Sequence, residues 1–282
     1  MCGIAGFSIS DKDHRVIGTR KLSKMLLREI QARGTDATGA VWSENGEDGV
    51  ELYYAKDGVD ADTFIKLNID LIPQFTRTAL LHTRYATQGS PDDNSNNHPI
   101  LVPSIIGIHN GHIANDDAII EGLGVERIGE VDSEAIFQLI ANSKEPLKAL
   151  LKLRGRAAIA WYEVDDPSTL HLARLTGSPM WVGHTHNGSL VFASTRDLLV
   201  EATLEAGVKL QTIWEVPEML YMKIVKGKIV ERIPLGEKPV PPVKPFKAKT
   251  HGYISPFNFN KSQREEYATL RERMDASFGF GS

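Results

Sequence analysis

Strands and helices are predicted in blocks along this chain, without the steady alternation that builds a parallel sheet, and that order does most to narrow the fold. A short apolar strand punctuated by glycine is predicted over 3–9. A helix follows over 19–32, where Leu22, Met25, Leu26 and Ile30 share one face and Gly34 stands after it as a stop. Strands over 37–43 and 50–56, a helix over 61–71 and a buried strand over 78–82 come next. The run 105–109 reads as a strand that turns at Asn110-Gly111, followed by helices over 116–122, 133–142 and 146–152. The second half is richer in strands, over 156–163, 169–174, 180–184, 190–194, 210–214, 219–225 and 228–233, with a helix over 196–206. Val225-Lys-Gly-Lys-Ile229 reads as a hairpin near the end of a sheet. Such blocks predict antiparallel sheets with helices packed outside them, an α+β layered architecture.

Composition changes at Pro234. The stretch Glu237-Lys-Pro-Val-Pro-Pro-Val-Lys-Pro245 favours extended polyproline II, and a charged segment follows. Two parts are therefore expected, a folded domain over 1–235 and a Pro-rich linker and tail over 236–282. The tail holds eight Lys and Arg against five Asp and Glu, whereas the rest of the chain carries a net charge of −7. A mildly acidic body argues against binding nucleic acid through its phosphates. No apolar run approaches the roughly 20 residues that span a bilayer, and the N-terminus lacks the pattern of a signal peptide. A single cysteine excludes an intramolecular disulfide framework and fits a reducing compartment, so a cytoplasmic location is expected.

That cysteine is Cys2, directly after the initiator methionine. A methionine before a small residue is ordinarily trimmed, so the mature chain is expected to begin at Cys2. One residue then carries a thiol, with a reference pKa of about 8.5, and an α-amine of about 7.7–8.0. A nucleophile and a base of matched strength would share one residue. The ordinary alternative is a small buried hydrophobe.

Five further segments have ordinary readings of their own. In Arg33-Gly-Thr-Asp-Ala-Thr-Gly39, Gly34 serves as a helix C-cap and Asp36 as a turn residue. In His82-Thr-Arg-Tyr-Ala-Thr-Gln-Gly-Ser-Pro91, Arg84 leaves a buried strand, and a guanidinium fork suits a carboxylate. Asn94-Ser-Asn-Asn-His-Pro99 is turn chemistry by composition. Asn-Gly in His109-Asn-Gly-His-Ile113 is a strong hairpin signal. The same turn would also aim the Asn110 amide and the Gly111 N–H at one point as an oxyanion hole. Asp132, ahead of an apolar helix, reads as an N-cap.

Taken in this order behind Cys2-Gly-Ile-Ala-Gly6, these segments resemble the class II, N-terminal nucleophile, glutamine amidotransferase domain shared by glucosamine-6-phosphate synthase, amidophosphoribosyltransferase and asparagine synthetase. Gly177-Ser-Pro-Met-Trp-Val-Gly183 and Ala193-Ser-Thr-Arg196 extend the likeness, which covers roughly 2–235. The resemblance implies a four-layer αββα sandwich of the N-terminal nucleophile hydrolase type, with Cys2 starting a strand at the sheet edge. It implies that Cys2 is the nucleophile and its own α-amine the base, with Asn110 and Gly111 as the oxyanion hole. Arg84 would bind the α-carboxylate of L-glutamine and Asp132 its α-ammonium. Arg33 would support the nucleophile, Thr87 would contact substrate from a closing loop, and His98 would order that neighbourhood. No metal or cofactor is implied. Gln88 and Tyr85 depart from the His-Thr-Arg-Trp-Ala-Thr-His-Gly pattern of glucosamine-6-phosphate synthases.

Nothing in the chain resembles a synthase module. The expected function is a free-standing glutaminase subunit that passes ammonia to a separate synthase, the tail being either a docking element or a strap on its own core. Two other functions remain open, a stand-alone hydrolase of another γ-glutamyl amide and a non-catalytic glutamine-binding module. Relatives commonly assemble as homo-oligomers.

Overall fold

Six small or apolar residues, all buried, form β1 (Gly3–Ser8). The chain continues through α1 (Thr19–Ile30), β2 (Ala37–Asn45), β3 (Val50–Asp57), α2 (Ala61–Asn68), β4 (Thr78–Arg84), β5 (Ile100–Val102) and β6 (Ile105–Ile113). Three helices follow, α3 (Asp116–Leu123), α4 (Asp132–Ala141) and α5 (Pro146–Ala149), and then β7 (Gly155–Glu163), β8 (Asp166–Arg174), β9 (Trp181–Thr185) and β10 (Leu190–Ala193). The last elements are α6 (Arg196–Ala206), β11 (Leu210–Glu215), β12 (Leu220–Val225), β13 (Lys228–Pro234) and β14 (Phe246–Lys247). This computed structural model describes residues 1–46 and 49–236, together with the backbone of Phe246–Lys247. The linker and tail expected over 236–282 otherwise lie outside the described residues.

The strands form an eight-stranded sheet, ordered β14-β11-β9-β10-β1-β4-β2-β3, and a six-stranded sheet, ordered β13-β12-β8-β7-β6-β5. Period-two alternation gives each strand two apolar faces. In β1, Ile4 packs between the sheets with Leu80, Ile108 and Leu172, whereas Ala5 and Phe7 pack outward on α1 and α6. On the other sheet, Ile105 and Ile159 face outward to Ile136 and Phe137 of α4. Four layers result, helix on sheet on sheet on helix. In α1, Leu22, Leu26 and Ile30 are fully buried, and burying each contributes roughly 1.5–3 kcal/mol. The hairpin expected at 225–229 joins β12 to β13, with Lys226 and Gly227 both at positive φ, as a two-residue turn requires. Among the described residues no helix is long and apolar enough to cross a membrane.

Three local expectations are corrected. Asn110-Gly111 is not a turn, because β6 runs straight through to Ile113 and pairs with β7, Asn110 opposite Ala158 and Gly111 opposite Ala157. At Gly111 the strands lie so close that a Cβ would strike the Arg156 carbonyl, so the glycine serves close approach rather than a reversal. Gly34 is the C-cap expected, its N–H on the Gln31 carbonyl at 3.0 Å, in extended backbone (φ 178°) where a Cβ would strike the Arg84–Tyr85 backbone. Asp132 is the first residue of α4 and caps no helical N–H; its carboxylate instead accepts from the Ile113 N–H at 2.6 Å. Finally, β1 is an interior strand, flanked by β4 and β10, not an edge. An all-buried strand without polar side chains on its rim needs partners on both sides.

One row of facing residues crosses the larger sheet: Lys56 opposite Gly39, Gly39 opposite His82, His82 opposite Ile4. The missing side chain at Gly39 lets the backbone of His98 lie directly on the sheet, where a Cβ would strike the His98 carbonyl. Gly39→Ala is therefore expected to cost about 1–3 kcal/mol by overpacking, read as a lower urea midpoint with unchanged slope. Wild-type stability in this variant would contradict the close approach.

Candidate active site

Three interactions fix the start of β1. The Ile4 N–H donates to Ser194 Oγ at 2.9 Å, and the Ser194 N–H donates to the Ile4 carbonyl at 2.9 Å, so the Ala193-Ser-Thr-Arg196 motif clasps the first turn of the strand. On the other flank Gly3 meets Thr83 and Ile30 too closely for any Cβ. Arg33 Nε donates to the Cys2 carbonyl at 2.8 Å. Cys2 is thereby held, partly exposed, at the strand's mouth, and its thiol points to the Tyr85 carbonyl at 3.8 Å. Burial pushes the thiol's pKa up, opposed by the Tyr85 backbone, by the neighbouring terminal amine and by Arg84. A protonated thiol in such a place needs a base beside it to become a nucleophile.

Arg84 ends β4 next to β1, and its guanidinium is buried. Three of its five N–H donors go to the following loop: Nη1 to Asn97 Oδ1 at 2.9 Å, and Nη2 to the carbonyls of Gly89, at 2.8 Å, and Gln88. Burial lowers its pKa, while Cys2, Asp36 and Asp132 act in the opposite sense from nearby. Asp132 also bears on the Cys2 thiol, raising its pKa. Cys2 and Arg84 stand one residue beyond the Gly3–Thr83 pair on neighbouring strands, and the charges of Arg84 and Asp132 act on the thiol in opposite senses. His112 Nδ1 stands 3.5 Å from Asp132 Oδ2.

Asn110 shares the inward-facing parity of Ile106 and Ile108 on β6. It is fully buried, and neither its Oδ1 nor its Nδ2 has a hydrogen-bond partner among the described residues. Leaving a buried amide unpaired costs about 1–3 kcal/mol, so the group is suited to a ligand. Thr87 is exposed on the loop after β4. His98 is buried rather than presented outward: its ring stacks on His82, centroids 3.9 Å apart. Among the described residues no cluster of His, Cys, Asp or Glu could hold a metal.

Residues 82–201 match the family model described as "Glutamine amidotransferase domain". The glutamine–fructose-6-phosphate aminotransferase (isomerizing) of Rhizobium meliloti is 29% identical over 249 residues, 82% of this chain and 38% of that enzyme. The chain carries a class II glutamine amidotransferase domain. It spans well under half the length of the curated relatives it matches. The fold is also that of glutamine phosphoribosylpyrophosphate amidotransferase from B. subtilis, with TM-score 0.66 and 19% identity over 84% of this chain and 50% of the other. A glutamine aminotransferase class-II domain protein from Silicibacter pomeroyi shares it too, with TM-score 0.53 and 14% identity, covering 83% of this chain and all of that one.

Around Arg84 lies polar structure that the motifs only hint at. His82 Nε2 donates to the His109 carbonyl at 3.1 Å, while His109 Nδ1 bonds Ser133 Oγ at 2.9 Å. Asp36 takes the Ala86 N–H at 2.7 Å, and its own N–H donates to the Arg84 carbonyl at 2.9 Å. The Arg33–Gly39 segment is thus a rail for the loop that Arg84 anchors. Asn97 was hidden in an asparagine-rich run, and only its place between Arg84 and the Pro91 carbonyl marks it out.

Burial holds His82 neutral, its pKa pushed down to about 3, and drives His98 well below the usual imidazole value. The unfolded chain protonates both near pH 6.5, so stability present above that pH is lost as pH falls from 6.5 towards 3. Urea unfolding at pH 7, 6 and 5 is expected to show a slope of up to about 1.4 kcal/mol per pH unit for each ring. A flat profile would place these rings in water.

Proposed function

We propose that this domain hydrolyses L-glutamine to glutamate and ammonia, and that the ammonia passes to a separate synthase. The observation that carries the reading is a single thiol at the mouth of β1, level with Arg84 on the neighbouring strand, in a domain that also buries the unpartnered Asn110 amide. Arg84 would take the α-carboxylate of glutamine and Asp132 the α-ammonium, which leaves the side-chain amide to reach Cys2. With Met1 removed, the Cys2 α-amine takes the thiol proton and the sulfur adds to the amide carbon. The developing oxyanion is met by Asn110 Nδ2 and the Gly111 N–H. The C–N bond breaks as the amine returns the proton to the leaving ammonia, and water then hydrolyses the thioester. Arg33 fixes the Cys2 carbonyl, Thr87 would approach substrate as the 85–91 loop closes, and His98 supports that loop from below. The R. meliloti relative is named for amination of fructose 6-phosphate, and the region shared with this chain is 38% of it. An ammonia-consuming partner and a homo-oligomer are consistent with that division of labour.

A second reading, hydrolysis of another γ-glutamyl amide, draws on the exposure of Tyr85, Thr87 and Gln88 along the loop. The clamp reads only the amino-acid end, and an open loop leaves room for a larger leaving amine.

Purified protein of intact mass lacking Met1 is expected to release glutamate from glutamine. Asn110→Ala is expected to lower kcat by about 10²–10³-fold with little change in KM, and Cys2→Ala to abolish turnover. Active protein that retains Met1 would break the mechanism, because an acylated amine is no longer a base. Rapid cleavage of a bulky γ-glutamyl amide with glutamine ignored would establish the second reading instead.

A further inference from the structure

Lys56 belongs to none of the motifs, yet its ammonium is built into the floor under Arg84. It leaves β3 on the face that looks between the sheets, opposite Gly39. Across the gap left by that glycine, Nζ donates to the carbonyls of Asn97 at 2.9 Å and Pro99 at 3.0 Å. These two bonds bracket His98, whose ring is fixed by stacking on His82. The segment 97–99 is thereby tied to the sheet from both sides of one residue.

Asn97 carries this fixation towards the site. Its Oδ1 receives Arg84 Nη1 at 2.9 Å, and its Nδ2 holds the Pro91 carbonyl at 2.7 Å and Asn94 Oδ1 at 2.9 Å. A guanidinium must be aimed to within about 10–20° to grip a carboxylate in bidentate fashion. We infer that Lys56 is a positioning residue for the substrate carboxylate, acting through Asn97 on the direction in which Arg84 points. The inference rests on the reading of Arg84 as the carboxylate clamp.

The groups around the amine fit this role. Burial draws its pKa down to about 8, with only Asp93 pulling the other way. A half-buried ammonium finds its compensation in backbone carbonyls, and charge-assisted bonds of this kind are about twice as strong as neutral ones. Lys56 reaches no reacting atom, so its loss should change binding and leave chemistry alone.

The test uses the full chain and compares Lys56→Met, which keeps the alkyl length without donors, with Lys56→Arg. Lys56→Met is expected to raise KM for glutamine about tenfold or more, with kcat within about twofold of wild type. Lys56→Arg is expected to recover most of the loss. In an Asn97→Ala background the Lys56→Met effect on KM should largely vanish, since the relay is already cut. An unchanged KM in folded Lys56→Met protein overturns the inference, as do effects of Lys56→Met and Asn97→Ala that add in full. Should Lys56→Met fail to fold, Lys56→Gln, a shorter donor, takes its place and is read by the same KM-against-kcat comparison. Wild type inactive on every γ-glutamyl amide would overturn the functional reading and this inference together. An active wild type whose Lys56 variants keep its KM would overturn this inference alone.

Discussion

A buried guanidinium organises this molecule more than any other group. Arg84 sits at the end of β4, out of water, and a cation in that place must find oxygen acceptors or be expelled. It finds them in Asn97, Gln88 and Gly89, which draws the loop after β4 back upon its own strand. The Asp36 rail holds the loop's first residues from the opposite side. A loop is thus wound around one positive charge, and Cys2 lies level with that charge because β1 is the neighbouring strand.

Much of the architecture can be read from local pattern. The helix over 196–206 and the hairpin at 225–229 are predicted where they occur, because caps, turn residues and apolar period all agree. Asn110-Gly111 is the instructive failure. Its dipeptide favours reversal, yet Gly155, Ala157 and Ala158 of β7 offer a row of small partners some 45 residues away, and pairing along the whole strand outweighs the local preference. Gly34 caps the helix end as expected, but a second reason for it lies far off in sequence. Its glycine answers to the Arg84–Tyr85 backbone, which no window around residue 34 contains.

The candidate site divides in the same way. Cys2, Arg84 and Asp132 stand out because their residue types and order are distinctive, and the fold gathers them. Lys56, Asn97 and the stacked pair of His82 and His98 are illegible in sequence because their meaning lies in register: a lysine opposite a glycine, a glycine opposite a histidine. Thr87 is legible as part of a motif, yet it stands exposed on its loop.

The clasp between Ile4 and Ser194 has a consequence for how the protein comes into being. Its two residues are separated by 190 positions in sequence, so β1 leaves the ribosome long before it gains its full set of neighbours. β4 can pair with β1 early, but β10 closes the other flank only after most of the chain exists. Contacts of such long range form slowly. A partly synthesised chain therefore presents a cysteine without the geometry that would activate it, and reactivity at the amino end awaits completion of the domain.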